Sequence, residues 1–412
     1  MILTIFLCVG CNKSEKESPN ASHEKNKETL KKTKTGEMVI TPHFDGASNF
    51  SEGLALVRIG DDKTGKYGFI DKQGKMVINP TFDLGTDFSE GLAGVILVDD
   101  QKRKFGFINK QGEMVTPLFD GAALFSEGLA RVRVGKKDGF IDRQGKIAIK
   151  PQFDGGKDFS EGLALVGIGD EKTGKYGFID KQGEMVITPQ FDGASNFSEG
   201  LALVRIGDDK TGKYGFIDKQ GKMVINPTFD SAFDFHEGLA KVFLGDDQNG
   251  KLGFINKQGE MVTPLFDGAA DFSEGLARVL IGKKIGFIDR QGKIAIKPQF
   301  DVANNFSDGL ALVRIGDEKT GKIGFIDKQG KMIINPQFDN ASDFSNGLAE
   351  VRIGDDETGK YGFIDKQGIM VITPQFERNE NPYPGSLLKV SSDLIPVTVI
   401  KNNKRVMGYI SR

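Results

Sequence analysis

From residue 36 onward, apolar positions come in short alternating runs, and no window keeps helical spacing for more than two turns. Between Phe50 and Asp87, Leu54, Leu56 and Arg58 alternate with Ala55, Val57 and Ile59 in a β-rich run that stops at Gly60. This predicts a first strand. Asp61-Asp62-Lys63-Thr64-Gly65 is a turn cluster, and Lys66-Tyr67-Gly68-Phe69-Ile70 predicts a second strand. Asp71-Lys72-Gln73-Gly74 reads as a tight hairpin connection in which Asp bonds its own backbone and Gly accepts positive φ. The third strand is Lys75–Ile78, expected to stop at Asn79-Pro80 because proline has no N–H to give a ladder.

This pattern recurs. The phrase FSEGLA, with small variations, starts at Phe50, Phe88, Phe125, Phe159, Phe197, Phe235, Phe272, Phe306 and Phe344, at intervals of 38, 37, 34, 38, 38, 37, 34 and 38. The intervals themselves repeat every four units, or 147 residues, and Gly36–Asp83 matches Gly183–Asp230 everywhere except His43 against Gln190. A duplicated four-repeat block explains this, so recurrence of a residue is not by itself a sign of function.

The expected fold class is all-β: nine tandem three-stranded antiparallel repeats of 34–38 residues over 36–377, forming an open superhelical array, with 378–412 as a diverged C-terminal repeat or cap. The alternative is a closed propeller-like ring. Ser386–Arg412 supplies SLLKVSS and Arg405–Ile410, matching strands one and two, while Gly36–Ile40 is a strand three without its partners. Pairing those ends would build a tenth unit and remove the sheet edges. The open form is favoured because ten blades are unusually many, and a block duplicates more easily in an array that need not close.

Composition narrows the chemistry. Gly (54 of 412 residues) and Phe (32, against 6 Tyr and 0 Trp) reflect the repetition. A net charge of −2 offers no broad attraction to phosphate backbones, so nucleic acid is not expected as a partner. Three His and two Cys exclude most zinc sites, disulfide frameworks and His-dependent catalysis.

Residues 1–10 read MILTIFLCVG, half the roughly 20 apolar residues needed to span a bilayer, and are followed by Cys11. The segment 1–11 resembles a bacterial lipoprotein signal, with Val9 and Gly10 before a cysteine. The resemblance implies lipidation of Cys11. Residues 12–35 hold seven Lys, four Glu and one large aliphatic residue, Leu30, which predicts a disordered charged tether. Together these give an expected place in a bacterial cell envelope, as an outer-membrane lipoprotein facing the surface or the periplasm, touching membrane through the lipid alone.

The segment YGFIDKQGKMVINPTFD followed by FSEGLA resembles the WG-repeat family, including the KWG Leptospira type, over Gly36 to about Glu377. The family's Trp-Gly pair is replaced by Tyr67-Gly68, Phe105-Gly106, Asp138-Gly139, Tyr176-Gly177, Leu252-Gly253 and Ile285-Gly286. The resemblance implies a β-repeat fold and no enzyme chemistry.

Three motifs invite a functional reading. Gly60–Lys66 fits G-x-x-x-x-G-K, but Tyr67 stands where Ser or Thr would hold magnesium, two acids would repel phosphates and no helix follows. Asp61 and Asp62, with Asp208, Asp209, Asp355 and Asp356, offer hard oxygens but lack calcium-loop spacing, and read as a solvated turn. Glu52, Glu90, Glu127, Glu161, Glu199, Glu237 and Glu274 are spread one per unit rather than paired at a cleft, so each is expected to accept backbone N–H bonds in its turn. No catalytic residue, metal ligand or cofactor is assigned. The expected function is a non-enzymatic binding scaffold for a protein or glycan partner; the alternatives are an envelope hydrolase or cell-wall hydrolase accessory, and a passive spacer.

Overall fold

The computed structural model describes residues 35–99, 102–170, 173–245, 250–317, 319–378, 393–402 and 404–412. Cys11, the rest of the signal-like segment, nearly all of the tether and the SLLKVSS run lie outside them. Every element among the described residues is a strand, and the strands group into ten small antiparallel sheets. In blade 1 the order is Gly46–Ala47, Leu54–Ile59, Lys66–Asp71, Met76–Phe82. The three long strands match the sequence reading. The short edge strand does not, because two residues are too few to show any alternation.

Strand three also runs further than expected, through Pro80 to Phe82. Its pairing with strand two slips between Phe69↔Ile78 and Tyr67↔Phe82, a bulge that carries Pro80 past the ladder. Gly68 faces the bulge, and a Cβ there would sit 2.4 Å from the Ile78 carbonyl oxygen and 2.7 Å from the Pro80 nitrogen. The glycine of the Tyr-Gly pair is therefore a backbone-clearance residue. The hairpin between these strands forms as expected, with Asp71 Oδ1 accepting from Gln73 and Lys75 N–H at 3.0 and 2.9 Å, and Gly74 at φ 80°. In the blade spanning Leu84 to Phe119, strand three is one residue shorter and pairs only through bridges. There Thr116 Oγ1 accepts the Phe107 N–H at 3.0 Å.

The chain closes into a ten-bladed propeller, which overturns the open superhelical array. Met38–Phe44 pairs antiparallel with Lys404–Ser411, and Leu394–Lys401 completes the tenth sheet. The register Met38↔Ile410, Ile40↔Tyr409, Phe44↔Met407 reproduces that of Met76↔Ile70, Ile78↔Phe69, Phe82↔Tyr67 in blade 1. Even the close approach is copied: a Cβ on Gly408 would lie 2.4 Å from the Ile40 oxygen. Strand one of this tenth unit is Leu394–Lys401, later in the chain than the SLLKVSS run that the sequence suggests for it. An open array fails energetically here because it would leave the strand edges of both end units unpaired, whereas the two incomplete ends satisfy one another.

Blades are numbered from Gly46–Phe82 (blade 1) through Asn340–Phe376 (blade 9), with Met38–Phe44 and Leu394–Ser411 as blade 10. The core lies between consecutive blades. Leu56, Tyr67 and Phe69 of blade 1 pack on Phe88, Ala93, Val95 and Ile108 of blade 2. In blades 1 to 8 the Phe of GFID meets the Phe of the next FSEGLA at a steep angle: Phe69–Phe88 centroids are 4.8 Å apart at 61°, and Phe325–Phe344 4.8 Å at 67°. Such pairs contribute about 0.5–1.5 kcal/mol beyond the area they bury. Phe50 meets Tyr409 at 5.0 Å, so the joint between blades 10 and 1 is built like the others.

Candidate binding face between the blades

The repeated acids are consumed by assembly. Glu52 takes a left-handed conformation, φ 50°, which aims its carboxylate across the joint at the Gly91 N–H of blade 2, 3.0 Å away, with Lys110 Nζ at 3.1 Å. Glu161 does the same to Gly200 and Lys219, and Glu237 to Gly275 and Arg290. The expected backbone acceptance is present, but the donor belongs to the next blade's turn rather than to the Glu's own. Ser51 Oγ adds a bond to the Phe88 carbonyl at 2.6 Å, and Ser160 Oγ one to Phe197 at 2.8 Å.

A second set fastens the other end of each blade. Asp154 accepts from Lys137 Nζ at 2.6 Å and from Gly169 N–H at 3.0 Å, and the lysine bond followed by the backbone bond holds its carboxyl below the ordinary range. Asp45 closes the series by pairing with Lys404 across the chain ends.

The Asp61–Gly65 turn faces inward on itself. Asp61 Oδ1 accepts from the Lys63 and Thr64 N–H groups at 2.8 Å each, bonds that lower its pKa, and Asp62 pairs with Arg58. The turn joins two antiparallel strands, and Lys66 is directed to Asp83, so the phosphate-loop geometry does not arise. Among the described residues no three His, Cys, Asp or Glu side chains are placed to hold a metal.

What varies is the face that each blade turns to the short strand of the next. In blade 3, Asp138, 1% exposed, accepts from Arg133 Nε at 2.6 Å and Arg131 Nη1 at 3.0 Å, and Asp138 raises the Arg133 pKa. The residue 147 positions later is Ile285, and Arg133 becomes Leu280. In blade 6, Lys241 reaches Asp271 at 3.0 Å and lies 4.2 Å over the Phe233 ring. In blade 9, Glu350 stands where blade 5 has Leu203, and burial pushes its carboxyl up to about 7. Burial likewise raises Asp158, against the pull of Arg131, and Asp343, against its bond from Asn304 Nδ2 at 2.9 Å. Of these variable residues only Asp138 was named from sequence, as a replacement of the family's Trp, and none was given a role there. For Lys241 and Glu350 the usable signal was a departure between positions n and n + 147 on a strand-one site that four other blades fill with Leu.

Ten consecutive segments, from residues 33–63 to 361–379, match the family described as WG containing repeat. The chain belongs to that family. Within this WG repeat protein, the place of the missing Trp is taken by side chains such as Tyr67, Tyr361 and Ile323, packed in the joint to the next blade, and by the ion-paired Asp138. No curated protein sequence matches the chain. Among solved structures, a eukaryotic initiation factor is similar at 12% identity and TM-score 0.46, over 82% of this chain and 88% of that one. The β-propeller domain of the Trilobed protease from Pyrococcus furiosus is similar at 9% identity and TM-score 0.32, over 85% and 99%. Ring closure rests on strand pairing, not on these likenesses.

Proposed function

We propose that this WG repeat propeller is a non-enzymatic binding scaffold for a macromolecular partner, held at a bacterial envelope by lipid on Cys11 and a tether over 12–35. The observation that carries the binding role is where the duplicated block has diverged. Most positions that fasten blades together are retained between copies; the exceptions include Asp308 for Glu161 and Asn346 for Glu199. The face next to each short strand has exchanged Gly94 for Lys241, Leu124 for Asp271, Asp138 for Ile285 and Leu203 for Glu350. A passive spacer has no need to vary one face, and a hydrolase needs acids converging on one cleft rather than spread around a ring. The Cys11 lipid is supported by the sequence before it alone.

Two experiments test the reading. Metabolic labelling with a fatty-acid analogue should mark the full chain and not Cys11→Ser; labelling of both would remove the anchor from the proposal. The purified ring should retain a saturable protein or glycan from envelope extract, and a combined Lys241→Ala, Asp271→Ala variant with an unchanged circular dichroism spectrum should retain less. Equal capture by both proteins would overturn the assigned face.

A further inference from the structure

A pocket of about 230 Å³ opens between blades 2 and 3, and twelve residues line it. Its origin is Gly94. Blades 1, 4, 5 and 8 carry Leu56, Leu165, Leu203 and Leu312 at the same strand-one position, filling the joint that Gly94 leaves open. Backbone geometry does not demand this glycine: it lies inside a regular strand, and a Cβ there would meet nothing nearer than Thr86 Oγ1 at 3.3 Å. Packed interiors rarely keep a hole of this size, because lost contacts cost stability.

The duplicated copy supplies an internal control. Across 84–124 and its counterpart 231–271, seven of the twelve lining residues differ, against four of the other 29 positions. Thr86, Gly94, Phe105 and Leu124 become Phe233, Lys241, Leu252 and Asp271. In that second copy Lys241, 11% exposed, occupies the space, held by Asp271 and the Phe233 ring. In the first copy the walls are apolar, Leu124 stands half exposed at the rim, and the only lining side-chain hydroxyl, on Thr86, accepts the Gly94 N–H at 2.9 Å.

We infer that the space between Gly94 and Leu124 is a binding pocket for one uncharged aromatic or branched-aliphatic group. Its size suits a substituted single ring, since an apolar cavity of about 150 Å³ already admits benzene. A buried charge is disfavoured because nothing in the lining would pair with it. The group can come from a free small molecule or from a side chain of a bound polypeptide, and the inference does not depend on the envelope location or on a macromolecular partner.

Ligand-observed NMR on the full chain tests this with two probes, toluene and N-acetyl-phenylalanine amide. At least one should give saturable transfer; toluene alone identifies a free small molecule as the source, and the blocked amino acid identifies a side chain. Gly94→Leu, the residue of the sister blades, should weaken binding at least tenfold while raising the melting temperature. Leu124→Asp, the residue of the second copy, should weaken it as well and covers the case in which Gly94→Leu folds poorly. No transfer from either probe, or transfer unchanged in a folded Gly94→Leu or Leu124→Asp protein, overturns the pocket. Either result is independent of whether an envelope partner is captured, so the scaffold reading and this one fail separately.

Discussion

The Tyr409 hydroxyl donates a 2.8 Å hydrogen bond to the Ser48 carbonyl, across 361 positions of sequence. Tyr409 occupies the site that Phe69 and its equivalents hold in the other blades, so this bond adds to an aromatic contact with Phe50 of the kind that Phe69 makes with Phe88. It ties the C-terminal strand Lys404–Ser411 to blade 1, in the one blade where no hairpin joins strand two to strand three.

Removing this ring should open the propeller locally. Tyr409→Phe should cost about 1 kcal/mol for the lost bond, and Tyr409→Ala about 3–5 kcal/mol for the lost packing. Because repeats contact only their neighbours, amide exchange should quicken in Met38–Phe44 and Lys404–Ser411 and stay unchanged in blade 5. Uniform acceleration around the ring would contradict the local fastening.

The glycine after the aromatic residue is set by backbone clearance rather than by turn formation. Gly68→Ala should destabilise by about 1–3 kcal/mol or more, because its Cβ has only the Ile78 oxygen and Pro80 nitrogen to push against. Gly53→Ala meets no atom within 4 Å, although its φ of 91° still strains an alanine. Chemical denaturation of the two variants should rank Gly68→Ala as the worse.

At the Glu positions, conformation and bonding can be separated. Glu161→Ala keeps the left-handed strain and loses the Gly200 and Lys219 partners, at an expected cost of about 1 kcal/mol. Glu161→Gly loses the same partners but relieves the strain at φ 52°, so it should cost less than Ala. The reverse order in a melting comparison would show that the bond to the next blade matters little.

Glu350 should make stability fall as pH rises. Its carboxyl titrates near 4.5 when unfolded and is pushed by burial up to about 7 when folded, so the folded chain keeps a proton that the unfolded chain releases between those values. Between pH 5 and 8 this should remove on the order of 1–3 kcal/mol. Glu350→Leu, copying Leu203, should abolish that slope and melt higher at pH 8; a slope unchanged in the variant would place its cause elsewhere.

The lysine-bonded aspartates act in the opposite direction. Asp120, Asp154, Asp192, Asp230, Asp267 and Asp301 are held below 3.8, first by their lysine bonds and then by a backbone N–H. Their contribution is complete above about pH 4 and fades as pH falls through the lowered values. Acid unfolding should therefore begin below pH 4, and Lys137→Met should move it to higher pH by loosening one joint.

The sequence by itself determined what is local. Alternation placed the three long strands, and Asp71 and Gly74 specified the hairpin, because each depends on neighbours within a few residues. It also exposed the two half-units that close the ring. The tertiary structure alone decided that they do close, because closure sums a rotation at every joint, and each rotation is fixed by Phe–Phe, Ser and Glu contacts between blades. The bulge that carries strand three past Pro80, the reach of Glu52 into the next blade and the space left by Gly94 belong to the same class. Each is a relation between surfaces that meet only when one blade is packed against another, and no single repeat contains both sides.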